Sequence, residues 1–232
     1  MVLDLEHGRR VYDWLGRHRV LYRLIRCGVC FGREKLFQRT AMAALELTAG
    51  DVVLDLACGT GANLGHLQGK VGTAGRITAV DFSSGMLDAA RAQAEANRWT
   101  NIEFRRADAA RLELPPESLD GAICTFGLSA MPGELEAIKH MAVALKSGAN
   151  FVVLDCKAFT GVARIFNPIA GPVFKYGTNW DYHKDVIKGL REVFPEVGVR
   201  EFNSGCNYLA IAKRKQDRSL ARRKPTNQMV QE

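Results

Sequence analysis

The sequence predicts an α/β fold, with a doubly wound, mostly parallel sheet that ends in an antiparallel hairpin. Short apolar runs of strand length alternate with helix-like segments between Val53 and Asp155. Most of these runs finish at or near an acidic residue, where the carboxyl ends of parallel strands would gather a ligand site. The last two runs, Val197–Phe202 and Cys206–Ala212, are too close together for a crossover helix and must turn back on each other.

The first strand is carried by Val53-Leu54-Asp55-Leu56, an apolar run suited to a strand covered on both faces. It passes through Gly59 and Gly61 into a helix expected from Ala62 to about Gln68. Glycines there let backbone come close to a ligand, and the helix start presents unpaired N–H groups. The second strand, Arg76–Val80, finishes at Asp81, about twenty residues beyond Gly61, where a carboxylate can accept both hydroxyls of a ribose. A helix from Ser83 to Asn97 follows, capped by Ser83 or Ser84, with Met86, Leu87 and Ala90 on one face. The third strand is Ile102–Arg106, leading to Asp108-Ala109, and the fourth is Leu119–Phe126. A helix over Gly133–Lys146 and a turn at Lys146-Ser147-Gly148 lead to the fifth strand, Asn150–Asp155.

Beyond Asp155 the alternation breaks. Residues 157–182 read as an aromatic insertion, with Phe159, Phe166, Phe174, Tyr176 and Trp180 among glycines and prolines. A helix over Lys184–Val193 then precedes the hairpin.

Composition sets the broad class. With 47% hydrophobic and 25% charged residues in 232, the chain reads as one soluble globular domain with added segments. No apolar run reaches the roughly 18 residues needed to span a bilayer, and Asp4, Glu6, Arg9 and Arg10 interrupt the place of a secretory leader. Six cysteines without framework spacing suit a reducing cytoplasm. Cys27 and Cys30 have no second pair to complete a zinc site, so no metal is expected. The net charge of +7 is concentrated in residues 1–47 and 213–232, ends able to meet phosphate groups or to form a solvated surface.

A dinucleotide fingerprint needs a third glycine where this chain has Leu64, which favours S-adenosylmethionine over NAD. The acidic-x-x-x-Gly-x-Gly motif at Asp55, Gly59 and Gly61 resembles the first motif of class I S-adenosylmethionine-dependent methyltransferases. The resemblance extends through Val80–Leu87, Ala107-Asp108-Ala109 and Ala144–Gly148, and implies a Rossmann-like methyltransferase sheet. The chain is expected to divide into a helical lid over 1–47, an S-adenosylmethionine-binding methyltransferase domain over 48–212 that contains the aromatic insertion 157–182, and a basic tail over 213–232 whose Arg-, Lys- and Gln-rich composition reads as disordered. The resemblance implies a cofactor set of Asp55, Ala57, Gly59, Gly61, Asp81, Phe82, Met86, Asp108, Ala109 and Phe126. In this reading Asp55 suits the ammonium and Asp108-Ala109 lies near the adenine amino group. Phe82 and Met86 either flank the adenine or pack as a helix staple.

Within the class, the chain is similar to the branch of ubiquinone and menaquinone C-methyltransferases and phospholipid or betaine-lipid N-methyltransferases, which also place a Tyr-Asp pair near the N-terminus, here Tyr12-Asp13. The quinone enzymes carry Gly-Leu-Arg-Asn after the fourth strand, whereas this chain has Gly127-Leu128-Ser129-Ala130. That departure favours N-methylation of a phospholipid or amino-lipid headgroup, with C- or O-methylation of a quinone or other small molecule as the alternative. A nucleic-acid acceptor is disfavoured, since Thr125-Phe126-Gly127-Leu128 stands where base amino-methyltransferases carry Asn/Asp-Pro-Pro-aromatic.

Methyl transfer chiefly requires alignment and exclusion of water, while an amine acceptor must also lose a proton. Tyr12, Tyr22, His140, His183 and Tyr208 are the candidates for that proton, each with a structural role as its alternative. Tyr12, Tyr22, Tyr176 or Trp180 could hold a methylated ammonium on a ring face. A helix over Val11–Arg26 places Val11, Trp14, Leu15, His18, Tyr22 and Ile25 on one face, flanked by Arg17, Arg19, Arg23 and Arg26. It reads as a lid over the cofactor that also suits an anionic membrane interface, giving a cytoplasmic protein peripheral on the inner face.

Overall fold

The computed structural model describes residues 5–169, 180–181 and 184–216. The expectations for Phe174, Tyr176, His183 and most of the basic tail lie outside the described residues. Three helices lead in: α1 (Leu5–Arg17), α2 (Arg19–Val29) and α3 (Glu34–Ala44). The single helix expected over Val11–Arg26 is therefore two, broken at His18. There the backbone N–H turns back to the Leu15 carbonyl at 3.0 Å, while ring Nδ1 covers the Trp14 carbonyl at 2.8 Å. The imidazole also stacks on Trp14, with ring centroids 4.2 Å apart.

The sheet contains β1 (Val52–Leu56), β2 (Arg76–Asp81), β3 (Ile102–Arg106), β4 (Leu119–Thr125), β5 (Leu145–Cys156), β6 (Glu196–Phe202) and β7 (Asn207–Lys213). Between them lie α4 (Leu64–Val71), α5 (Ser84–Ala96), α6 (Glu134–Ala144) and α7 (Val186–Val193). Several expected boundaries move: α6 ends at Ala144 rather than Lys146, and α7 begins at Val186 rather than Lys184. The helix α4 starts at Leu64 rather than Ala62, because the turn uses the chain through Asn63. The expected turn at 146–148 lies inside β5, whose Leu145 already pairs with Leu119 across an irregular register.

Strand order is β3-β2-β1-β4-β5-β7-β6, parallel from β3 to β5, with β7 antiparallel between β5 and β6. Alternating residues feed two cores. Leu54, Leu56, Ala122, Cys124, Phe151 and Val153 pack toward α6 and α7, whereas Val53, Ile77, Ile123, Val152 and Leu154 pack toward α3 and α4. Burial on both faces explains the nearly continuous apolar reading of these strands. The order reverses between β1 and β4, and ligands enter such sheets at the carboxyl ends beside that reversal.

Helix α1 is clamped across this end. A Cβ on Gly16 would lie 2.4 Å from the Gly85 carbonyl carbon, and one on Gly85 would lie 2.6 Å from the Asp13 carbonyl oxygen, so the two helices cross backbone to backbone. Asp13 Oδ1 accepts from Ser83 Oγ at 2.6 Å and the Gly85 N–H at 3.1 Å. Burial works against this carboxylate, but the Ser83 and Gly85 hydrogen bonds outweigh it and hold the Asp13 pKa below its ordinary value. Ser83 also accepts the Met86 N–H at 3.2 Å, the cap expected for α5.

Gly85→Ala should lift α1 from α5, because its methyl meets backbone rather than a movable side chain. We expect a loss of about 1–3 kcal/mol in stability and faster hydrogen exchange over residues 5–17, with β1–β4 protected as before. Unchanged exchange in α1 would contradict the clamp.

Candidate active site

The turn after β1 has two unlike glycines. Gly59, at φ +54°, faces the cleft, and a Cβ there would lie 3.4 Å from the Tyr22 hydroxyl. Gly61, at φ +85°, faces the other way; its Cβ would lie 2.8 Å from Leu64 Cδ1 and 3.2 Å from Ala90 Cβ. The first keeps space open at the site and the second lets the turn pack on α4 and α5. Ala57 and Phe126, at the ends of β1 and β4, also hold positive φ, at 54° and 56°. Such strain collects at sites whose backbone is held by its surroundings.

Asp81 lies between these elements. Its Oδ2 accepts the Gly59 N–H at 2.8 Å and its Oδ1 the Ser83 N–H at 2.9 Å. Each oxygen keeps lone-pair capacity beyond its one backbone partner. Burial lifts the Asp81 pKa to about 6, against the lowering effect of those hydrogen bonds. Asp55 is fully buried beneath the turn: Oδ1 accepts from Asn63 Nδ2 at 3.0 Å, and Oδ2 has no hydrogen-bond partner among the described residues. Its pKa is pushed up to about 7, first by burial and further by Asp81.

A cleft of about 690 Å³ opens over these groups. Of the sequence-predicted cofactor residues, its wall contains Ala57, Gly59, Asp81, Phe82, Asp108, Ala109 and Phe126, joined by Tyr12 from α1 and Tyr22 from α2. Tyr12 meets Phe82 edge to face, with centroids 5.8 Å apart. Asp108 caps the 3₁₀ turn Ala109–Arg111 through the Ala110 N–H at 3.0 Å. Asp55, Gly61 and Met86 lie outside the wall. Met86 is fully buried within α5, which answers the packing alternative rather than the adenine one.

A second cavity of about 700 Å³ adjoins the first and shares Tyr12, Tyr22, Phe126 and Ala130 with it. Ile25, Val29, Phe31, Phe159 and Trp180 make most of its wall apolar. Backbone bonds fix these rings: Asn167 clasps Phe159 N–H and C=O at 2.9 and 3.0 Å, and Trp180 Nε1 donates to the Cys156 carbonyl at 3.3 Å. This second chamber was not assembled by sequence reasoning, because its wall residues are drawn from segments more than a hundred positions apart. The aromatic insertion expected over residues 157–182, with Phe159 and Trp180, was its local signal.

Two catalytic candidates lie outside both cavities. His140 Nε2 contacts the Ala110 carbonyl at 3.2 Å, tying α6 to the 3₁₀ turn. Tyr208 is 1% exposed in the α6–α7 core, where its hydroxyl has no hydrogen-bond partner among the described residues and burial drives its pKa well upward. Their strand and helix positions turn them inward, which residue type alone did not reveal. Tyr12 and Tyr22 do line both chambers; burial raises both phenols, Tyr22 to about 12, so both are neutral hydrogen-bonding groups near pH 7.

A family profile described as a methyltransferase domain matches residues 53–148, which contain β1 through the start of β5. Demethylmenaquinone methyltransferase from Bacillus cereus (strain B4264) is 27% identical over 146 residues, spanning 63% of this chain and 62% of that protein. Residues 53–148 thus match a methyltransferase domain, and the chain is similar to class I S-adenosylmethionine-dependent methyltransferases. The curated relative is thus matched over somewhat less than two thirds of its length. Among solved structures, geranyl diphosphate C-methyltransferase from Streptomyces coelicolor A3(2), in complex with Mg2+, geranyl diphosphate and S-adenosyl-L-homocysteine, has a TM-score of 0.65 at 12% identity, covering 78% of this chain and 80% of that one. Haemonchus contortus phosphoethanolamine N-methyltransferase 2, in complex with S-adenosyl-L-methionine, has a TM-score of 0.65 at 13% identity, covering 77% and 53%.

The methyltransferase cofactor, S-adenosylmethionine, supplies an electrophilic methyl on a sulfonium. The residues present suit it. Asp81 offers acceptor capacity for a ribose, Gly59 leaves the backbone open, and the buried carboxyls of Asp55 and Asp81 favour a cation nearby. Among the described residues no group of side chains could hold a metal ion.

Because burial raises their folded-state pKa values, Asp55 and Asp81 hold protons at pH values where the unfolded chain is already ionised. Their contribution to cofactor-free stability is therefore complete below about pH 4 and is lost as pH rises through about 6 to 7. A cationic ligand reverses this by favouring the carboxylates. Calorimetry in buffers of different ionisation enthalpy should show proton release on S-adenosylmethionine binding near pH 6, tighter binding as pH rises toward 8, and reduced release in Asp55→Asn. Affinity flat across that range would refute the linkage.

Proposed function

We propose that the protein transfers a methyl group from S-adenosylmethionine to a flat, apolar acceptor of the quinol type. The observation that carries this reading is the pair of adjoining chambers, one with the carboxylates and glycine turn, the other walled by aliphatic and aromatic side chains. Tyr12, Tyr22, Phe126 and Ala130 stand where the two ligands would meet. Their contribution is alignment and exclusion of water, the main requirements of an in-line displacement. The name of the Bacillus relative supports C-methylation of a quinone precursor ahead of the amino-lipid N-methylation suggested by Gly127-Leu128-Ser129-Ala130. Incubation with labelled cofactor, offering a reduced demethylated naphthoquinone beside phosphatidylethanolamine, tests it. We expect label in the quinol at a rate at least about tenfold higher; preferential labelling of the amino lipid would reverse the order of the two readings.

Delivery of such an acceptor from an anionic bilayer is part of the proposal. Val20, Leu21 and Leu24 on α2, with Phe31, are exposed, as are Val162, Ile165 and Phe166 in the 3₁₀ turn Gly161–Phe166. Phe31 touches Phe159 ring to ring at 6.2 Å, which places the two apolar edges side by side at the second chamber. Arg17, Arg19, Arg23, Arg33 and Lys35 are exposed around them and match anionic headgroups. The membrane-facing set differs from the expected one: Leu15 is buried, and Tyr22 and Ile25 face the chambers. No helix among the described residues is long and apolar enough to cross a membrane.

In vesicle sedimentation, anionic vesicles should retain the protein better than neutral ones, and retention should weaken with salt. Leu24→Glu with Phe166→Glu should lower retention several-fold at unchanged cofactor affinity. Equal partitioning to both vesicle types would exclude the basic surface as the attractant.

A further inference from the structure

The second chamber contains one carboxylate among its described wall residues, Asp155 at the end of β5. It is 1% exposed in a wall otherwise dominated by Ile25, Val29, Phe31, Phe159 and Trp180. Isolated charge in such surroundings is costly unless hydrogen-bonded, and side-chain and backbone donors offset the cost. Oδ1 accepts from Ser129 Oγ at 2.6 Å and the Cys156 N–H at 2.7 Å, while Oδ2 accepts from the Ser129 N–H at 2.9 Å. The Leu128 N–H is also directed at this carboxylate, and Asp155 forms no ion pair among the described residues. The Ser129 N–H and hydroxyl are both directed to this carboxylate, which gives the Gly127-Leu128-Ser129-Ala130 segment a specific task.

The rest of the wall restricts what Asp155 can receive. Arg26 also lines the chamber, paired with Glu34 and lying 5.9 Å from the Tyr22 ring centroid. A neutral donor adds no second cation beside that guanidinium, whereas an ammonium does. Flat rings can contact Phe31, Phe159 and Trp180 while one polar edge reaches the β5 end.

We infer that Asp155, held by Ser129, is the hydrogen-bond acceptor for a weakly acidic hydroxyl, phenolic or enolic, on a flat apolar acceptor. This rests on the two-chamber reading above and names the polar handle of its substrate. A hydrogen bond from a phenol to this carboxylate moves electron density onto the hydroxyl oxygen and into its ring, where a carbon nucleophile is needed. A hydroxyl-bearing acceptor also leaves no buried group unpaired on binding, which is the basis of strong discrimination by polar sites.

The test uses 1-naphthol, naphthalene and naphthylmethylammonium as probes for the full chain, with wild type and Asp155→Asn compared by calorimetry. S-adenosylmethionine affinity is measured on the same samples. Wild type should bind 1-naphthol about tenfold or more tightly than naphthalene, the scale of one charge-assisted hydrogen bond. Asp155→Asn should lose most of that preference while binding naphthalene as before. Ser129→Ala leaves the carboxylate in place and should keep the preference for naphthol. Wild type without a naphthol preference overturns the inference even if Asp155→Asn does not fold, and so does tighter binding of the ammonium probe. Wild type that binds the cofactor but shows no naphthol preference counts against the Asp155 inference alone. Absence of cofactor binding in wild type counts against the methyltransferase reading itself.

Discussion

Asp81 is the group through which the site is assembled. One oxygen holds the glycine turn after β1, the other holds the start of α5. Ser83, fixed in this way, then caps its own helix and donates to Asp13 of α1. Strand, turn, helix and lid are thus joined by consecutive hydrogen bonds around one buried carboxylate. Charge-assisted bonds to backbone N–H groups are strong and directional, so the turn and the lid share a common geometric reference.

The arrangement places negative charge where folding alone would avoid it. Asp55, Asp81 and Asp155 are nearly inaccessible, and burial raises the pKa of each. None has a guanidinium or ammonium partner among the described ion pairs. A protein selected only for stability would gain by replacing such groups with apolar ones of similar shape. Their retention at the carboxyl ends of β1, β2 and β5 agrees with a site whose ligands complete the electrostatics. In the proposed function, the two chambers, meeting at a small set of aromatic walls, divide that task between a polar cofactor and an apolar acceptor.

Sequence made the sheet legible because both faces of β1, β4 and β5 are covered, leaving long apolar runs bounded by glycine and aspartate. The Ser83 cap and the ligand-end position of Asp81 followed from local spacing. Other features depend on distant partners and had no local signature. His18 breaks the first helix through a bond to Trp14, and β5 absorbs an expected turn because Leu145 pairs with Leu119. Gly61 looked like a ligand-contact glycine but is required by Leu64 and Ala90. Tyr208 and His140 carried suitable chemistry in the wrong direction, since side-chain orientation is set by which core each element faces. The Tyr12-Asp13 pair was noticed as a resemblance; its physical content is one side chain in the chamber walls and the next on the α5 terminus.

The clamp on α1 has a consequence for biosynthesis. Asp13 precedes Ser83 by 70 positions and Gly85 by 72, so α1 leaves the ribosome well before its docking surface exists. At a synthesis rate of about 5–20 residues per second, that interval lasts roughly 4–14 seconds. Throughout it, a basic segment with uncovered apolar side chains is presented by a nascent chain that has not yet made the second strand's partner helix. Any surface able to take up such a segment, a chaperone or an anionic bilayer, meets it before the sheet does. The order of manufacture thus gives the N-terminal helices an early encounter with their surroundings, and docking onto α5 is what ends it.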